Sequence, residues 1–151
     1  MNYTPFMSVF DVDPPIIDNK HLIKWLKINF SFLRNKLFKI KQLDSERDIN
    51  FILSINNKKK YVLKISNPSE KKNILKYQDR LINYLRSDIS LKSFIPKIHH
   101  TKIVKYLDKK NRECFVRILS YIEGRMYGDT KSNDKIENSL GKLLGKVSTK
   151  L

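Results

Sequence analysis

Few side chains in this sequence can do chemistry alone, and their spacing removes most of them. Cys114 is the single cysteine, so an internal disulfide and a multi-cysteine metal site are both excluded. It lies in an apolar strand pattern, CFVRILS, and reads there as a small buried hydrophobe rather than a nucleophile. His99 and His100 are adjacent, and neighbours on an extended chain point to opposite faces. They do not chelate one metal ion together, and no third ligand stands near them in sequence. His21 has no cysteine, histidine or carboxylate at ligand spacing and reads as a surface histidine. One lysine is left over. Lys64 interrupts the apolar run YVLKI as an inward-pointing ammonium, downstream of a polar turn that carries Ser45 and leads into Asn50.

The elements that must hold Lys64 are strands. Leu37–Leu43 alternates apolar and polar residues, and Phe51, Leu53 and Ile55 repeat with period two. Tyr61–Ile65 is rich in strand formers, with Asn56-Asn57-Lys58 supplying the reversal before it. Asp44-Ser45-Glu46-Arg47-Asp48 has no apolar anchor and is expected exposed at the sheet edge. A second hairpin, Lys102–Leu107 and Cys114–Ser120, closes through the polar turn 108–112, after a connector at Ser93–Ile98.

Helices flank these strands. The chain up to Pro15 is expected to be extended, because Pro14-Pro15 disfavours helix before it. Asp18 then caps a helix over about 18–29 whose apolar face is Leu22, Ile23, Trp25, Leu26 and Phe30. A second helix, roughly 69–87, carries Ile74, Leu75, Tyr77, Leu81, Ile82 and Leu85 at helical spacing, with Asn67 or Ser69 as cap and Pro68 near its first turn. A third, about 133–150 and capped by Ser132 or Asn133, aligns Ile136, Leu140, Leu143, Leu144 and Val147. Gly141 and Gly145 on it allow a close helix neighbour. The fold class is α+β: a five-stranded antiparallel sheet with a packed helix, plus an N-terminal and a C-terminal helix.

Three stretches resemble a known family. LDSERDINF (43–51) and YVLKISNP (61–68) are similar to the nucleotide-binding lobe of aminoglycoside phosphotransferase-like kinases, closest to the hydroxylysine kinase and type II homoserine kinase branch. The third stretch, CFVRILS running into YIEGRMYGD, resembles the hinge between the two lobes of those enzymes. The resemblance implies that Lys64 holds the α- and β-phosphates of ATP or GTP and that the turn at 44–50 covers them. That turn has no glycine, so backbone N–H groups with Ser45 and Asn50 would make the contacts. It implies further that Val62 packs on the base and that Leu119 backs its pocket. The C=O of Ser120 and N–H of Ile122 would pair with the purine edge, and Gly124 would let the chain turn away without a Cβ clash. The partner of Lys64 is expected among Gln78, Glu70 and Asp79, in that order. On this reading 1–17 is an extended segment, 18–124 the kinase-like lobe, and 125–151 a linker and the first helix of a missing second lobe.

Composition bounds the rest. The 151 residues suffice for one domain, and 40% hydrophobic content argues against disorder. No apolar run is long enough to span a bilayer, and MNYTPFMSVFDVDPP lacks the basic start and apolar core of a secretory signal, so a cytoplasmic location is expected. The formal charge is +16, but lysine supplies 24 of the 31 cations and is spread along the chain. Lys58-Lys59-Lys60 reads as a solvated loop tip. Non-specific polyanion binding at low salt is expected from the charge, and a specific nucleic-acid partner is not.

The kinase-like pattern His-x-Asp-x-x-x-x-Asn is absent from residues 1–151, so no catalytic residue is assigned and Mg²⁺ is expected only with a second lobe. The leading function is therefore the ATP- or GTP-binding lobe of a small-molecule kinase, present as a fragment, split gene product or degraded copy. The alternatives are a stand-alone partner-binding or regulatory module and a basic nucleic-acid-binding protein. Hydroxylysine, homoserine and aminoglycosides are acceptors by analogy only.

Overall fold

A computed structural model describes residues 12–100 and 102–151, so most of the expected extended segment 1–17 lies outside the described residues. Five strands form one sheet: β1 Phe38–Leu43, β2 Ile49–Ile55, β3 Lys59–Ile65, β4 Val104–Leu107 and β5 Glu113–Ser120. Their order is β1-β2-β3-β5-β4, and every pairing is antiparallel. Helices α1 Asn19–Asn29, α2 Lys72–Ser87 and α3 Asp134–Lys150 complete the α+β fold expected from periodicity. No helix among the described residues is long and apolar enough to cross a membrane.

The period-two pattern decides which face is core. Phe51, Leu53 and Ile55 of β2, Tyr61, Leu63 and Ile65 of β3 and Cys114, Val116 and Ile118 of β5 are buried together under Leu22 and Leu26 of α1 and Phe30 just after it. Burying a side chain of this size contributes about 1.5–3 kcal/mol, so this face dominates the stability. Asp18 caps α1 as expected, accepting from the N–H groups of Lys20 and His21. Cys114 is fully buried, and desolvation pushes its thiol pKa up to about 12, which leaves it unreactive. Asn56 and Asn57 take φ of 50° and 58° in the β2–β3 turn. Asparagine tolerates such angles, and they match the twist of the flanking strands.

Three local expectations are corrected. Helix α2 begins at Lys72 rather than 69, without a side-chain cap, because Asn67 is held elsewhere. Its Oδ1 accepts from the N–H and Oγ of Ser69, and its Nδ2 donates to the Val12 and Arg47 carbonyls. The turn 44–48 is only partly exposed: Arg47 reaches Glu70 at 3.0 Å, and Asp48 accepts from the Asn67 N–H at 3.0 Å. The polar turn 108–112 hides a buried carboxylate. Asp108 accepts from the backbone of Ile16, Lys110 and Arg112 and from two nitrogens of the Arg112 guanidinium. Arg112 also donates to the carbonyls of Asp13 and Pro14, tying the entry to α1 onto the β4–β5 hairpin.

Candidate functional site

The face of the sheet away from α1 carries Asn50, Val62, Lys64 and Leu119 of the residues singled out from sequence. Register fixes its rows: Asn50 pairs with Lys64 and Lys64 with Arg117, while Ile52 pairs with Val62 and Val62 with Leu119. A polar row therefore lies next to an apolar row, about 7 Å apart along the strands. Helix α2 covers the end of this face at β4 and β5, where Leu75 packs with Phe115 and Ile103. Lys64, Val62 and Ile52 stay half-exposed.

The partner of Lys64 is Asp48, whose Oδ2 lies 4.0 Å from Nζ; it is not Gln78, Glu70 or Asp79. The reason is a cation that sequence reasoning passed over. Arg117 is buried between β5 and α2, and its guanidinium takes both Asp79 Oδ1 and Gln78 Oε1 at 2.8 Å. Arg117 also donates to the Leu75 carbonyl, so it clamps α2 to the sheet. Glu70 is occupied by Arg47. The signal for Arg117 was a charged residue in a strand otherwise apolar on both faces, CFVRILS. The signal for Asp48 was its place directly before β2, two residues from Asn50, the position opposite Lys64.

Other expected residues divide. Asn50 stands across from Lys64, and its Oδ1 is buried without a hydrogen-bond partner among the described residues. Such an orphan is uncommon, and each one calls for a physical account. Ser45 turns back to the Leu43 carbonyl at 3.5 Å and does not join Lys64. Ser120 is tied to the connector by two bonds: its N–H donates to the Lys97 carbonyl and its Oγ accepts from the Lys97 N–H. Ile122 lies beyond β5 and is exposed. The expected role of Gly124 is corrected, because a Cβ there would meet open space and its φ is not left-handed. Among the described residues, nothing beyond the adjoining chain lies within 4 Å of where a Cβ at Gly141 or Gly145 would stand.

The histidines pack. His99 lies against Phe32 and Tyr61, His100 against Phe30, and His21 reaches the Tyr106 hydroxyl at 3.3 Å. Burial lowers the His99 pKa, with the nearby charges of Lys59 and Lys97 adding to it. Among the described residues no cluster of His, Cys, Asp or Glu could hold a metal ion. No protein-family model matches the chain, and no curated protein matches it.

Proposed function

We propose that the open face of β2 and β3, backed by the buried Leu119 of β5, binds ATP or GTP, as the nucleotide-binding lobe of a small-molecule phosphotransferase of the aminoglycoside phosphotransferase-like kind. The observation that carries this reading is the pair of adjacent rows. Lys64 and Asn50 lie in one, and Ile52, Val62 and Leu119 in the next. A nucleotide presents a flat apolar ring at one end and phosphates at the other. The apolar row suits the ring and the polar row the phosphates.

Asp48 and Lys64 divide the work at the phosphate end. One oxygen of Asp48 is held by the Asn67 N–H, and the other faces the ammonium. The carboxylate therefore orients Lys64 without enclosing it, and Nζ keeps donors for a phosphate oxygen. Binding is the activity proposed for these residues. Transfer to an acceptor hydroxyl would need an aspartate and Mg²⁺ ligands that no motif in residues 1–151 provides.

The experiment is a calorimetric titration of ATP and GTP into the parent and Lys64→Ala at physiological salt. Loss of one contact to a charged group is worth about 1.5–3 kcal/mol, so the variant is expected to bind at least about tenfold more weakly. Equal affinities would remove Lys64 from the site. A second reading, a partner-binding module, is favoured by the exposure of Leu140 and Leu144 on α3; it gains if neither nucleotide binds the parent.

A further inference from the structure

Helix α2 presents a second charged surface, away from Lys64. Lys72, Lys76 and Arg80 recur every four residues and line a groove of about 510 Å³ closed on the far side by Lys102 and Ile103. Asn83 and Asp79 complete the lining. The one carboxylate in the groove is already spent on Arg117, at 2.8 Å. None of the four cations pairs with a carboxylate among the described residues. Four unneutralised cations along one groove hold a positive potential that a mobile anion can satisfy.

We propose that this groove binds the backbone of a single-stranded nucleic acid, without sequence preference. Each four-residue step of α2 advances about 6 Å, which suits successive phosphates of an extended strand. Tyr77 and Tyr84 share the adjacent outward side of the helix and are 65% and 50% exposed. The ring of Tyr84 lies under Lys150 Nζ at 4.9 Å, which leaves Tyr77 as the platform for a base. Cationic grooves beside open aromatic rings are how proteins track single strands. An acidic peptide would use the cations and leave the ring idle. The proposal does not depend on the nucleotide reading of the β2–β3 surface around Lys64.

The test is the anisotropy of a short labelled oligothymidylate, titrated with protein from about 50 to about 200 mM salt. Four phosphate contacts predict a slope of log affinity on log salt of about −3. The Lys72→Gln/Lys76→Gln/Arg80→Gln triple variant is expected to flatten that slope by about 2. A control of equal charge change, Lys24→Gln/Lys36→Gln/Lys58→Gln, alters exposed lysines outside the groove and should shift the slope far less. Tyr77→Ala should weaken binding about fivefold or more at unchanged slope. Equal flattening by the two triples would overturn the proposal, because binding would then follow net charge alone. Full affinity in Tyr77→Ala would overturn it too. So would displacement of the oligonucleotide by polyglutamate of equal charge, which would make an acidic peptide the ligand.

Discussion

Lys64 shows how one residue can matter to binding and little to folding. Its ion pair with Asp48 is 4.0 Å long, and the two side chains are 32% and 25% exposed. Pairs open to water in this way contribute about 0–1 kcal/mol. Lys64→Ala is therefore expected to shift the urea midpoint by no more than that energy while it weakens nucleotide binding. A large loss of stability would mean that the lysine serves the fold and not a ligand. The place of Lys64 on its strand was legible from YVLKI, but its partner was not. Asp48 lies in a turn with no periodic pattern, and its role depends on strand register and on Asn67, both properties of the folded chain. Asp108 was hidden more deeply, since it read as one polar turn residue among five. One of its donors, the Ile16 N–H, is 92 residues away in sequence.

At the scale of elements, the strands and helices follow from apolar spacing, and their boundaries agree with expectation to within a few residues. The start of α2 is the exception, because Asn67 bonds to Val12, a segment distant in the chain. What holds α2 to the sheet is more polar than its apolar face suggested. Arg117, with a side chain only 7% exposed, rests on Asp79 and Gln78. Removing one partner of a buried pair strands the other, at a cost of about 3–5 kcal/mol, whereas an apolar replacement of similar length leaves less uncompensated charge. Asp79→Ala is thus expected to destabilise by about 3 kcal/mol and Arg117→Met by less, since the Asp79 carboxylate can turn to water. Urea unfolding measures both, and the reverse ranking would show that the guanidinium is not the buried charge. Helix α3 differs in kind: it buries no residue, and Leu144 is 59% exposed, so its apolar stripe was legible while its partner is not given by this sheet.

For the whole molecule, the titrating groups predict how stability follows pH. The folded chain lowers the His99 pKa from 6.5, so near that value the unfolded chain binds the proton more readily. Stability from His99 is present above pH 6.5 and declines as pH falls toward its folded pKa. His99→Phe, which keeps a ring against Phe32 and Tyr61, should flatten thermal melts between about pH 7 and pH 5.5. An unchanged slope there would assign the effect to other groups. At lower pH Asp108 contributes to the decline, with Asp18 and Asp88, whose pKa values are also lowered. Burial raises the Asp108 pKa, but the bonds from Arg112, Ile16 and Lys110 together outweigh that and leave it below 3.8. Its contribution is complete above 3.8 and is lost as pH falls through the folded value. The two faces of the sheet thus divide the labour, with stability on the α1 side and ligand chemistry proposed for the open side. The most direct measurement is an amide-resolved NMR titration with ATP and GTP at physiological salt. The account predicts shifts concentrated at Asn50, Val62, Lys64 and Leu119, saturating together with one dissociation constant. Shifts confined to the Lys72–Arg80 side of α2, with Lys64 and Val62 unmoved, would contradict it.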